Sequence, residues 1–138
     1  MMVKGEGINI EHRKLKNSEL SMLANFLESL KAENVNVFWD CLSSNCIKEI
    51  TSSFENFNDE VKLQLLRMVK ENFGEELDSL GIGNIIRFKD KERTKGYAFL
   101  QSNVKTNIYY MTESNIKGTE LPLELDKGAY KITLLKDE

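Results

Sequence analysis

The chain has 138 residues, of which 41% are apolar and 30% are charged, so it is long and apolar enough to form one packed domain. Its net charge of −3 and pI near 5.4 argue against a nucleic-acid-binding protein, which normally shows a basic face. No apolar run approaches the roughly 18 residues of a membrane span, and no signal-peptide core is visible, so we expect a cytoplasmic protein without a membrane partner.

Residues 1–17 are polar and lack a sustained apolar period. They predict an N-terminal arm with an irregular lead-in, followed by a single α+β domain over residues 18–138. The arm contains the single histidine, His12, and a short basic cluster at residues 12–16. Short charge runs are usually solvated, so we interpret this cluster as a solvated stretch.

The first half of the domain has the apolar period of helices. Either Asn17 or Ser18 can cap a first helix, whose leucines recur three and four residues apart as far as Lys31. Two short apolar stripes follow, and Asn45 is placed to cap the second of them. Asn58, followed by two acidic residues, is a strong start for another helix.

That helix is expected to end at Gly74, and a final turn is expected around residues 75–80. From Asn84 onward the apolar residues recur with a period of two instead of the helical 3.6, which predicts antiparallel strands joined by short loops. Pro122 cannot donate to a ladder and favours an edge or a bulge. The predicted strands cover residues 85–88, 93–101, 105–113, 119–125 and 129–135.

Three segments carry a resemblance to a known family: LESL at residues 27–30, VFWDCLS at 37–43 and LELDKGAYKITL at 123–134. Residues 126–132 form a hairpin of the type acidic–x–Gly–x–aromatic–Lys–Ile, with Tyr130 as the aromatic. This order of elements resembles the NTF2-like superfamily, a cone-shaped fold that includes ketosteroid isomerase and SnoaL-like cyclases. The resemblance implies helices packed on a curved antiparallel sheet of four or more strands. The high content of Lys, Asn, Ile and Glu is typical of an AT-rich bacterial genome, so we expect a bacterial protein. No residue matches the catalytic motif of those isomerases, so none is assigned.

Trp39 beside Asp40 is the most distinctive local pair, because an aromatic wall next to a carboxylate suits acid–base chemistry. Helical spacing also allows a simpler interpretation, in which Trp39 belongs to the core and Asp40 faces water. Strand tyrosines add hydroxyl groups if the sheet curls around a pocket, although aromatic residues are ordinary in strands. The tyrosines in question are Tyr97, Tyr109, Tyr110 and Tyr130.

The sequence carries no motif for a metal or a cofactor. Cys41 and Cys46 lack the second ligand pair of a zinc site, and His12 lies 29 residues before Cys41 in the predicted arm. We therefore expect two reduced, buried thiols, no metal and no cofactor. Gly81 and Gly83 follow a helix and do not form a phosphate loop.

Three functions stay open. The first is a non-enzymatic binding or assembly module, expected to be a homodimer through the sheet. The second is a small-molecule pocket protein or isomerase- or hydratase-type enzyme, which needs a cavity of roughly 300 Å³ or more. The third is an immunity or accessory factor that binds a protein partner. The dimer hypothesis rests on a second apolar sheet face, expected to consist of Ala98, Leu100, Tyr109, Met111 and Leu135.

The predicted core consists of apolar residues from both halves of the chain. Its members are Leu23, Leu27, Phe38, Trp39, Leu42, Leu66, Val69, Phe88, Phe99, Ile108, Leu123 and Ile132.

Overall fold

The computed structural model describes residues 12–102 and 119–134, which form an α+β arrangement of helices on an antiparallel sheet. In these two ranges the strands are β1 (His12–Lys14), β2 (Leu80–Phe88), β3 (Lys95–Ser102), β4 (Thr119–Asp126) and β5 (Ala129–Ile132). The α-helices of the described residues are α1 (Asn17–Ala32), α2 (Val35–Asp40), α3 (Ser44–Ser52) and α4 (Asp59–Phe73). A 3₁₀ helix at Gly74–Ser79 connects α4 to the sheet. None of the helices in this part of the chain has the length and apolar character needed to cross a bilayer.

Side-chain caps mark the starts of helices α2, α3 and α4. The side chain of Asn58 accepts a hydrogen bond from the Val61 N–H at the start of α4, which confirms the predicted start. The third helix differs from the prediction, because Ser43 rather than Asn45 caps it by accepting from the Cys46 N–H. Helix α1 ends with Glu33 in the left-handed region at φ 54°.

The sheet is an open meander in which neighbours in sequence are neighbours in space, in the order β1-β2-β3-β4-β5. All four strand pairs are antiparallel, and the β2–β3 register shifts between Ile82 and Ile86. At the far edge, Leu42 forms a parallel bridge to Ile132. The chain between α2 and α3 therefore covers the edge of β5.

One face of the sheet packs on the helices and forms the core. Arg13, Ile86, Ala98 and Leu121 are cross-strand neighbours in one row of this inner face, and the last three are buried. The predicted core is largely confirmed. Among its members Trp39 and Val69 are only half-buried, Ile108 lies outside the described residues, and eight are buried in this core. Phe99 is buried on the opposite face of the sheet, whereas Ala98 and Leu100, which were expected on the second face, lie in the core, so that expectation is wrong.

Further sequence expectations about the strands differ from the structure. The lead-in predicted as irregular contains strand β1 at residues 12–14, because these residues pair with residues 85–87 of β2. Strand β2 begins at Leu80 rather than near Asn84.

Pro122 lies in an interior strand and not at an edge. Proline is tolerated here because its backbone faces the residue just beyond the end of β5 at Ile132, where the ladder needs no N–H donor from it. The Pro122 carbonyl still accepts a hydrogen bond from the Thr133 N–H. The predicted strand at residues 105–113 lies outside the described residues.

Candidate functional site

The Trp39–Asp40 pair sits in the helical layer. The Trp39 ring lies 5.3 Å from the Phe57 ring, and the Lys62 Nζ is 5.1 Å from its centroid. The side chain of Asp40 is exposed, and its backbone carbonyl accepts a 2.8 Å hydrogen bond from the Lys131 Nζ. The carboxylate of Asp40 is therefore not shielded by the aromatic wall.

The predicted tyrosines are divided between the two sides of the sheet. Tyr130 lies on the inner face, with its ring 6.0 Å from that of Phe88 and its hydroxyl donating to the Arg93 carbonyl. Tyr97 alternates with the buried Ala98 and so lies on the opposite face. Trp39 and Tyr97 are thus separated by the sheet, while Tyr109 and Tyr110 lie outside the described residues.

A partly buried ion pair fixes β1 to the start of α1. The Arg13 guanidinium donates to both carboxylate oxygens of Glu19, at 2.8 and 2.7 Å, and the Lys16 N–H donates to the same carboxylate at 2.8 Å. Burial disfavours ionisation of Glu19, but these hydrogen bonds outweigh it and hold the pKa of the carboxyl below its usual value. Because the charges satisfy each other, we interpret this pair as structural.

Next to the ion pair is a cleft of about 240 Å³, lined in part by Lys16, Ser18, Tyr130 and Lys131. Its volume is below the roughly 300 Å³ typical of small-molecule pockets. Its Glu19 carboxylate is already bonded to Arg13, and burial raises the pKa of Tyr130, so the hydroxyl stays protonated. The cleft therefore offers little for acid–base chemistry near neutral pH.

The side of the sheet that faces away from the helices, here called the outer face, gathers cations from separate parts of the chain. His12, Arg87 and Tyr97 are cross-strand neighbours in one row of this face. Lys14 and Lys95 share the face by strand alternation, and both are exposed. The basic cluster that the sequence placed in an arm thus becomes one border of a cationic surface.

Two of the cations on the outer face lie against its aromatic rings. The Lys89 Nζ is 5.7 Å from the centroid of Tyr97, and the Arg87 Cζ is 5.9 Å from that of Phe99. These distances are typical of cation–π contacts. Phe99 is only 2% exposed, so this position has almost no apolar area to offer to a second copy.

Carboxylates occupy the same face on strand β4. Glu120 pairs with Phe99 and is exposed, and Glu124 pairs with both Lys95 and Lys131 and accepts from the Ser43 hydroxyl. The outer face is therefore positive over β1–β3 and mixed in charge over β4 and β5.

The thiols are unsuited to nucleophilic chemistry. Burial raises the pKa of Cys41 to about 11, and Cys46 is fully buried. Within residues 12–102 and 119–134, no group of three or more His, Cys, Asp or Glu side chains could hold a metal ion.

Comparison with protein-family models, curated proteins and solved structures gives no match. The function is therefore argued from the surfaces of this chain. Sequence reasoning missed the outer face because the basic cluster was not recognised as a strand. The available signal was alternation: Arg13 and Leu15 turn inward, while His12 and Lys14 point outward.

Proposed function

We propose that the chain is a non-enzymatic binding module that holds an acidic surface of a partner protein on its outer face. One observation carries the proposal: cations that are more than 70 residues apart in sequence, Lys14 on β1 and Lys95 on β3, lie on one side of the sheet around Tyr97. Such a surface attracts acidic groups and raises their association rate.

An acidic protein fits this surface better than a nucleic acid does. Glu120 and Glu124 lie on the same face and would repel a continuous line of phosphates. A protein can place acidic residues opposite Lys14 and Lys95 and a basic residue opposite Glu120.

The NTF2-like assignment and the cytoplasmic location stay predictions. The four helices that precede strands β2–β5 and the hairpin at residues 126–132 support the first of these.

The proposal is tested by titrating the purified protein with fluorescently labelled polyglutamate at low and high salt. Binding is expected at low salt and should weaken strongly near roughly 1 M salt, where screening is nearly complete. The double variant Lys14→Glu/Lys95→Glu should bind at least about tenfold more weakly. Lys31→Glu/Lys48→Glu changes the net charge equally but lies on helices α1 and α3, so it should bind as the parent does.

Equal loss in both double variants would show that net charge alone drives binding, and this would refute the outer face as the site. Competition with a single-stranded oligonucleotide separates the two classes of partner. Tighter binding of the oligonucleotide than of polyglutamate would overturn the assignment of a protein partner.

A further inference from the structure

A second surface, here called the aromatic patch, lies in the helical layer and consists of Trp39, Phe54 and Phe57. The Phe57 ring contacts both others, at centroid distances of 5.3 Å to Trp39 and 6.0 Å to Phe54. Phe54 is 41% exposed, and Trp39 and Phe57 are half-buried. Aromatic side chains in partly exposed groups of this kind are typical of binding surfaces.

Carboxylates flank the aromatic patch along the same stretch of chain. Glu55, Asp59 and Glu60 are all exposed, and the side chain of Asp59 is 99% exposed. Lys62 is the basic residue beside them, and its Nζ lies over the Trp39 ring and 3.8 Å from Asp59. The patch is therefore apolar at its centre and acidic along one border.

We propose that the partner held on the outer face is the aromatic patch of a second copy of this chain, so that copies associate head to tail. This inference rests on the proposed function and names its partner. The two surfaces have opposite charge, and the sheet lies between them. One copy therefore cannot bring its own aromatic patch onto its own outer face, so a contact between these two surfaces needs a second copy.

The contacts inside one chain already show the kind of pairing that this interface would use. The Lys62 ammonium lies over the Trp39 ring, and Lys89 lies over Tyr97. In the same way, Lys14 and Lys95 of one copy would meet the exposed Phe54 ring and its neighbouring carboxylates on the next copy. The pairing combines cation–π contact with opposite charge.

A symmetric dimer through two outer faces is a weaker alternative. A two-fold axis parallel to the strands would place the positive half of each sheet against the half of mixed charge of the other, and an axis perpendicular to the strands would bring the two positive halves together, where like charges repel. The buried Phe99 also offers little apolar area to offset that repulsion. A head-to-tail contact places opposite charges together and leaves one surface open at each end, so the assembly grows with concentration.

Sedimentation velocity from micromolar to near-millimolar concentration tests this arrangement. The parent protein is expected to grow beyond its monomer mass of 15.9 kDa at low salt and to return towards monomer at high salt. Two variants each remove one surface. Lys14→Glu/Lys95→Glu removes the outer face, and Phe54→Ser/Glu55→Ser removes part of the aromatic patch.

Each variant alone should remain monomeric, because each lacks one half of the contact. An equimolar mixture should form a one-to-one complex of twice the monomer mass, since each variant supplies the surface that the other lacks. Met68→Ser/Glu71→Ser is the matched control, because it removes an exposed apolar side chain and a carboxylate elsewhere on α4. It should associate as the parent does, and unchanged thermal midpoints would show that all variants fold.

The outcomes separate this inference from the proposed function. A parent protein that stays monomeric but still binds polyglutamate refutes self-association and leaves the proposed function standing. A parent protein that neither self-associates nor binds polyglutamate refutes both this inference and the proposed function. A dimer of fixed mass that does not grow with concentration, or a mixture of variants that stays monomeric, overturns the head-to-tail arrangement.

Discussion

Replacing Glu19 with glutamine tests whether the ion pair with Arg13 holds strand β1 in place. The glutamine keeps the size of the side chain and can still accept from the Lys16 N–H, but it removes the charge opposite the guanidinium. Breaking a fully buried pair from one side costs about 3–5 kcal/mol, whereas an exposed pair contributes less than about 1 kcal/mol. The side chains of Arg13 and Glu19 are 25% and 9% exposed, so the expected cost is about 2 kcal/mol.

The loss of stability in the Glu19→Gln variant should depend on pH in a defined direction. Because hydrogen bonds from Arg13 and Lys16 hold the folded-state pKa of Glu19 below its usual value of 4.5, ionised Glu19 stabilises the fold fully above that value. This stabilisation disappears as the pH falls through the folded-state pKa. Urea unfolding at pH 7 should therefore show the full difference between parent and variant, and the difference should shrink below pH 4.5.

The matched control is Glu28→Gln on the same helix, where Glu28 is 72% exposed and lies 3.4 Å from Lys31. It should change the free energy of unfolding by less than about 0.5 kcal/mol. The Glu19→Gln variant should lower the thermal midpoint by roughly 6–8 °C for a chain of this size. Equal losses in both variants, or a loss at Glu19 that is independent of pH, would refute the structural role of the ion pair.

Three further changes have defined outcomes. Gly96→Ala should destabilise the fold by about 2 kcal/mol in urea unfolding, because the added Cβ would lie 2.7 Å from the carbonyl oxygen of Arg87. An unchanged urea midpoint would contradict the close approach of β2 and β3. Trp39→Ala should lower the free energy of unfolding by about 2 kcal/mol, which is less than the loss for a fully buried aromatic side chain, and Phe54→Ala should lower it by less than about 1 kcal/mol. Equal losses in the two variants would contradict the difference in their burial. With its pKa near 11, the Cys41 thiol is about one part in a thousand ionised at pH 8, so an aromatic disulfide reagent should react only after unfolding; immediate reaction of one thiol per chain would contradict its burial.

Local signals predicted much of the fold. The Asn58 cap and Gly74 bound helix α4 as expected. At the last hairpin, Lys127 and Gly128 both have positive φ, at 54° and 86°, between the paired Asp126 and Ala129. Such two-residue turns are set by their own sequence, which is why they can be predicted without knowing the rest of the fold.

Features that depend on distant partners were not predictable in the same way. Strand β1 has three residues, and its hydrogen bonds go to β2, more than 70 positions along the chain. Ser43 and Asn45 are both able to cap α3. The choice falls on Ser43 because its backbone N–H also bonds to the Ile132 carbonyl and its hydroxyl reaches Glu124.

The candidate sites show the same contrast between local signals, which could be predicted, and distant partners, which could not. Alternation within β3 correctly separates Tyr97 from Ala98, but the sequence does not show which side chains of other strands share its face. That depends on the register between strands, and a shift of one residue would exchange the two faces. The register therefore determines that Arg87 is the cross-strand neighbour of Tyr97. It also determines that Tyr97 lies on the face of the sheet opposite to the helical layer that contains Trp39.

The pI of the chain gives a misleading indication of its partners, because net charge is a sum over the whole molecule. A partner at the surface responds mainly to charges within a Debye length, which is about 8 Å at physiological ionic strength. Arg13 turns inward and is neutralised by Glu19, whereas Lys14 and Lys95 stay exposed on the outer face. The carboxylates beside the aromatic patch lie in the helical layer, with the sheet between them and those lysines. A chain with a net charge of −3 can therefore present a positive face to one partner and an acidic border to another.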